Sequence, residues 1–184
     1  MSERASPLAE RSVVLITGIQ AAGKSTIAQM LAERLPRSVH LRGDLFRRLI
    51  VNGGLNMLPD GDAEAAAQLQ LRYRLSAAVA DQFAEAGFTV IYQDVIMEAD
   101  LAAQVARIRS RPLYVVALLP SQQAVGEREA RRSKKAYDPW TVAELDDALR
   151  NRTPRIGLWL DTSDQTPDQS VDEILARCAE AHIG

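Results

Sequence analysis

The sequence predicts an α/β fold organised on one five-stranded parallel sheet. Two observations carry that prediction. Short apolar runs alternate with longer stretches of helical period, the pattern of βα units. A glycine-rich turn also stands between the first run and the first helical stretch. At 184 residues the chain fits a single domain with one core.

The strands are expected at residues 13–17, 39–41, 89–92, 113–119 and 156–160, each a brief aliphatic or β-branched run bounded by polar, Gly or Pro signals. Residues 24–35 read as a helix closed by Pro36, and 45–51 as a short one ended by Asn52, Gly53 and Gly54. The longest helix, 63–86, carries Leu71, Leu75, Ala78, Val79 and Phe83 at helical spacing, which predicts its core face, and stops at Gly87. Thr141 with Glu144, and Ser170 with Glu173, are spaced as capping boxes for the last two helices. Residues 1–11 mix charge with Ser and Pro and read as a loose tail.

Composition narrows the function. A net charge of −2 without charge runs removes the electrostatic basis for coating a nucleic acid, so a nucleic-acid partner is not expected. Cys178 is the one cysteine, so no intrachain disulfide can form and a reducing, cytoplasmic setting is expected. The first residues lack the apolar stretch of a signal peptide, and no segment has the length and hydropathy of a membrane span.

The run from Gly18 through Gln20, Ala21, Ala22, Gly23 and Lys24 to Ser25 satisfies G-x-x-x-x-G-K-[ST] between a predicted strand and a predicted helix. Such a P-loop turns backbone N–H groups toward phosphate oxygens, and its glycines permit the dihedrals and the close approach. Lys24 adds a point charge, Ser25 is placed to ligate Mg²⁺, Thr26 stands toward the α-phosphate, and the helix N-terminus faces the anion. The expected ligands are therefore ATP and Mg²⁺. An accidental glycine-rich turn is the bland alternative.

Phosphoryl transfer to an alcohol calls for a carboxylate near the γ-phosphate. Asp44 follows the second predicted strand, where ligands collect in parallel sheets; Gly43 beside it would leave space for the incoming ligand. The competing role is a helix N-cap. Asp94 ends the third strand, where it would hold magnesium through water rather than act as a cap. Strand alternation lets either Gln93 or Asp94 face the phosphates, hardly both. Over 121–135, Arg128, Arg131, Arg132 and Lys135 share one helical face. They suggest a lid, 121–140, whose Arg128 and Arg132 neutralise the transferring phosphate, with Arg131 a weaker candidate. The alternative is a solvated helix with Glu127–Arg131 and Glu129–Arg132 pairs.

With VVLITGIQAAGKST, HLRGD, GFTVIYQDV, GEREARRSKK and LWLDTSDQTP in view, the chain resembles the chloramphenicol phosphotransferase-like P-loop kinases, a group related to shikimate, gluconate and zeta-toxin kinases. The resemblance spans nearly the whole chain and implies a three-layer P-loop NTPase fold of nucleoside-kinase strand order. It implies Asp44 as general base, Arg128 and its neighbours as lid arginines, and residues 161–167 beside the adenine. Two departures stand out: Gln93 replaces an acid of the double-Asp form, and 52–62 does not follow the drug-kinase pattern, so chloramphenicol is not implied as acceptor.

The acceptor would lie between the P-loop, Asp44, the lid and the residues after the second strand. There Leu55, Met57 and Leu58 offer an apolar wall, and Arg47, Arg48, Arg72 and Arg74 could meet an acidic substrate. Core filling and solvated helix charge are the duller readings of the same residues, and Tyr73 and Trp140 are equally open. The leading expectation is an ATP-dependent small-molecule kinase with a hydroxyl acceptor. Its alternatives are a nucleotide-dependent switch without an acceptor, and a nucleotide or RNA-end kinase.

Overall fold

The computed structural model describes residues 8–58, 61–131 and 140–184. Five parallel strands, β1 (Val13–Thr17), β2 (Ser38–Arg42), β3 (Thr89–Gln93), β4 (Leu113–Leu118) and β5 (Leu158–Leu160), pair in the order β2-β3-β1-β4-β5. All five predicted strands form, with ends shifted by up to two residues. β5 starts late because Gly157 turns with φ 70° so close to Val115 that a side chain there would overlap its carbonyl.

The alternation of side chains along the strands divides the core between two faces. Val14 and Ile16 point to one side with Val116, Leu118 and Leu160. They pack on α1 (Lys24–Glu33), α6 (Val142–Asp147), the π-helical turn Ala148–Arg152 and α7 (Pro167–Ala176). Val13 and Leu15 point to the other side with Val90, Tyr92 and Val115, against α3 (Ala63–Glu85) and α4 (Ala99–Arg107). The expected single core is thus two apolar layers separated by the sheet, which is the three-layer arrangement. Between these elements lie the short α2 (Asp44–Arg48), α5 (Gln122–Ala130) and α8 (Cys178–Ala181).

Three sequence expectations are corrected. α3 does not bury Leu71, Leu75, Ala78 and Phe83, which are exposed; it buries Ala65, Tyr73, Ala77, Ala80 and Ala84. Alanines let the helix lie close to the sheet, while the large leucines turn outward. α7 is capped by Thr166 with Gln169, not by Ser170 with Glu173; Ser170 lies one turn inside, its hydroxyl bonding Thr166 O and Gln165 Oε1. The other predicted box, Thr141 with Glu144, forms. Leu8, assigned to the loose tail, is buried in the core, and Ala9 N–H donates to the Tyr114 hydroxyl at 3.4 Å. The helix α4 had no counterpart in the sequence reading. No helix among the described residues is long and apolar enough to cross a membrane.

Candidate active site

β1 delivers the chain into the loop at Gly18, whose φ of 147° and 2.8 Å approach of a would-be Cβ to the Leu118 carbonyl leave room for no other residue. Ala21 and Gly23 also take positive φ, 57° and 97°, and α1 starts at Lys24. The loop and the first turn of α1 line a cavity of about 510 Å³. Gln20, Ala21, Ala22, Gly23, Lys24, Ser25 and Thr26 all border it. The Lys24 ammonium donates to the carbonyls of Gly18 (2.8 Å) and Ile19 (2.7 Å), which holds the cation against the loop's own backbone.

Opposite the loop, β2 is followed by Gly43 and by Asp44, the first residue of α2. Gly43 is the residue that caps α2, and the Asp44 side chain makes no capping bond, which removes the capping role proposed as its alternative. Asp44 Oδ2 instead accepts from Arg48 Nη2 at 2.5 Å, and its Oδ1 lies 3.7 Å from Arg42 Nε. The glycine at 43 serves a different purpose from the expected one. A side chain there would overlap the Asp94 carboxylate, so Gly43 makes room for Asp94 and not for a ligand.

Gln93 and Asp94 both border the cavity, against the expectation that only one would. The strand ends at Gln93, so the alternation rule does not reach Asp94. Asp94 is buried and tightly committed: its Oδ2 accepts from Arg72 Nε at 2.8 Å, and its Oδ1 from Arg72 Nη2 and, at 2.7 Å, from the Val95 N–H. Burial pulls the Arg72 pKa below the ordinary guanidinium range. This bidentate pair ties α3 to the end of β3 at the centre of the site. Sequence reasoning missed it, because the two residues carry no mutual signal across 22 positions.

The donor set fits magnesium in a limited way. The exposed Ser25 hydroxyl suits direct ligation. Asp94 already accepts three hydrogen bonds at about four lone-pair sites, which leaves it one site for a metal or a metal-bound water while the Arg72 pair holds. Among the described residues no cluster of three His, Cys, Asp or Glu could hold a cation. An ion at this site would therefore depend on phosphate oxygens and water for most of its ligands.

Arg128, on α5, reaches across the cavity rim: Nη1 donates to the Ala22 carbonyl at 3.3 Å and Nη2 to the Thr162 carbonyl at 2.5 Å. It links the loop to the chain leaving β5, where Thr162, Gln165 and Pro167 complete the wall. Arg131 is exposed at the end of α5 and borders neither this cavity nor the next; Arg132 and Lys135 lie outside the described residues.

A second cavity, about 1020 Å³, opens beyond Asp44 between α2, α3 and the π-helical turn. Gln20, Asp44, Arg48, Arg72 and Val95 border both cavities, so Asp44 stands at their junction. Leu55, Met57, Leu58, Tyr73 and Trp140 line the second one, as expected for an acceptor region, and Trp140 Nε1 donates to the Met57 carbonyl at 3.0 Å. Of the four arginines expected there, Arg47, Arg48 and Arg72 line it and Arg74 does not.

The parallel sheet in this order, with the loop at the end of its central strand β1, defines a P-loop nucleotide-binding domain with the fold of the P-loop kinases. A family model described as an AAA domain matches residues 13–155, and the chain belongs to that family. A UPF0200 protein of Aeropyrum pernix is 34% identical over 142 residues, covering 75% of this chain and 74% of its own. A cytidylate kinase of Methanothermobacter thermautotrophicus is 25% identical over 142 residues, 76% of this chain and 83% of its own. Among solved structures, a sugar kinase from Janibacter sp. superposes with a TM-score of 0.68 at 19% identity, covering 94% of this chain and 96% of that one.

Proposed function

We propose that this protein is an ATP-dependent kinase that transfers the γ-phosphate to a hydroxyl of a small molecule. One observation carries the reading: the Asp44 carboxylate, free of any capping role, sits where a phosphate-binding cavity meets a second cavity large enough for a substrate. The kinase relatives and the motif resemblance to chloramphenicol phosphotransferase-like enzymes support it. A nucleotide switch has no use for the second cavity.

In this reading the acceptor hydroxyl lies against Asp44, which takes its proton as the oxygen attacks the γ-phosphorus in line and ADP departs. The P-loop amides and Lys24 hold the β- and γ-oxygens, the ammonium exchanging its two backbone carbonyls for phosphate. Arg128, already at the rim, adds positive charge from the α5 side, and Arg132 would join it from the lid. Ser25, and Asp94 through a water, would hold magnesium, which would supply charge neutralisation for the transferring phosphate. The single cysteine suits a cytoplasmic setting.

Replacing Asp44 with Asn tests the assignment. Transfer to a screened set of alcohols is expected to fall by about 10²-fold or more, with ATP affinity by calorimetry little changed; undiminished transfer would remove Asp44 from the chemistry. The likeness to a cytidylate kinase favours a second reading, a nucleotide acceptor, and including nucleoside monophosphates in the same screen decides between them.

A further inference from the structure

The second cavity has an uneven chemistry. Its charged residues balance, four arginines against four carboxylates, and most are engaged within the chain. Arg47 donates to Asn56, Arg48 to Asp44 and Arg72 to Asp94. On the far wall Arg152 is paired with Glu98 at 3.0 Å, and Asp100 accepts from Gln70 at 2.8 Å. Glu144 is spent on the capping box of α6. An anionic substrate meeting Arg48, Arg72 or Arg152 would have to break an ion pair and leave a carboxylate uncompensated; Arg47, bonded to the neutral Asn56, keeps its charge.

What lacks a partner is apolar. Leu49, Leu58, Leu71 and Leu75 line the same cavity while remaining 71, 41, 39 and 39% exposed. They are large side chains that water touches, gathered from α2's end, the following loop and α3 onto one concave surface. The inverted amphipathicity of α3, alanines inward and leucines outward, belongs to the same pattern. Trp140, bonded to the Met57 carbonyl, stands across from them. Exposed leucines scattered over a surface need no explanation, but four on one cavity wall beside a reactive carboxylate do.

We infer that the acceptor is an electrically neutral alcohol with a substantial apolar body, held by Leu49, Leu58, Leu71 and Leu75 with its hydroxyl turned toward Asp44. Sugar phosphates, hydroxy acids and nucleotides are disfavoured because the cavity's four arginines are matched by four carboxylates and three of the four are held in ion pairs. The inference rests on the acceptor reading of the second cavity. It commits that reading to one class of molecule.

The test uses the full chain carrying Trp159→Phe, so that Trp140 reports alone. Neutral alcohols with aryl or alkyl bodies are titrated without nucleotide and followed by Trp140 fluorescence, beside a hexose phosphate, a hydroxy acid and a nucleoside monophosphate. Saturable binding of the neutral set is expected, with Leu71→Arg and Leu75→Arg weakening it at least about tenfold. ATP affinity by calorimetry should not change, and that constancy also verifies folding; Leu71→Ala and Leu75→Ala provide milder variants. Binding of the anionic set alone would overturn the inference. So would a wild type that is dimeric by light scattering, turns monomeric in the arginine variants and binds no alcohol, since the leucines would then be covered by a second copy. If neutral alcohols bind but accept no phosphate from ATP, the cavity's preference for neutral apolar molecules stands, while their role as acceptors and the kinase reading both fall. If an anionic alcohol is phosphorylated, the kinase reading stands and the inference falls.

Discussion

The two cavities that meet at Asp44 are made in opposite ways. The first is built largely from backbone: eight consecutive bordering residues of the loop and the first turn of α1, Gln20 to Ile27, whose amides and one ammonium address a ligand common to many enzymes. The second is built largely from side chains contributed by α2, a loop, α3, the π-helical turn and Trp140, with residues as far apart as 20 and 152. The contrast teaches why they differ in legibility. Backbone geometry is dictated by a contiguous stretch, so glycines at 18 and 23 announce it; a side-chain cavity exists only once distant segments are packed.

Mutations should separate the two. The largest effect is expected from Lys24→Ala, which removes the cation from the first cavity alone. Its kcat/KM should fall by about 10²–10³-fold while fluorescence titration of an acceptor remains as in wild type. Loss of acceptor binding as well would show that the cavities are not independent.

Asp94→Ala probes the seam. It strands the Arg72 guanidinium, 15% exposed, without its carboxylate, and should destabilise the fold by about 3–5 kcal/mol in urea melts. The double variant Asp94→Leu with Arg72→Met should recover much of that loss. If the single and double variants melt alike, the pair contributes no structural coupling between α3 and β3.

The smallest effect is expected from Trp140→Phe. It deletes one hydrogen bond to Met57, worth about 1 kcal/mol, at the wall of the second cavity only. A rise of a few-fold in acceptor KM with an unaltered ATP KM would confirm the separation, and a matched change in both would break it.

The same contrast explains what the sequence disclosed. The strands, their number, the phosphate loop and the position of Asp44 were all readable, because each depends on local pattern or on a motif of fixed spacing. The buried face of α3 was not. Leu71, Leu75 and Phe83 outweigh alanine in any hydrophobic periodicity, yet proximity to the sheet selected Ala77, Ala80 and Ala84. The role of Gly43 was misread for a related reason: a glycine signals close approach but not what approaches, and here it is Asp94. Arg72 could be proposed as a surface charge facing substrate; only the folded chain shows it locked to Asp94. α4 escaped notice, its nine residues burying only Leu101 and Gln104.

Tyr114, near the start of β4, receives the Ala9 amide on its hydroxyl and pairs with His182 across an isolated bridge. The early and late parts of the described chain are therefore clasped at the rim of the sheet opposite the phosphate loop. Tyr114→Phe would unfasten the Ala9 amide from β4 while leaving the phosphate loop, at the other end of the sheet, untouched.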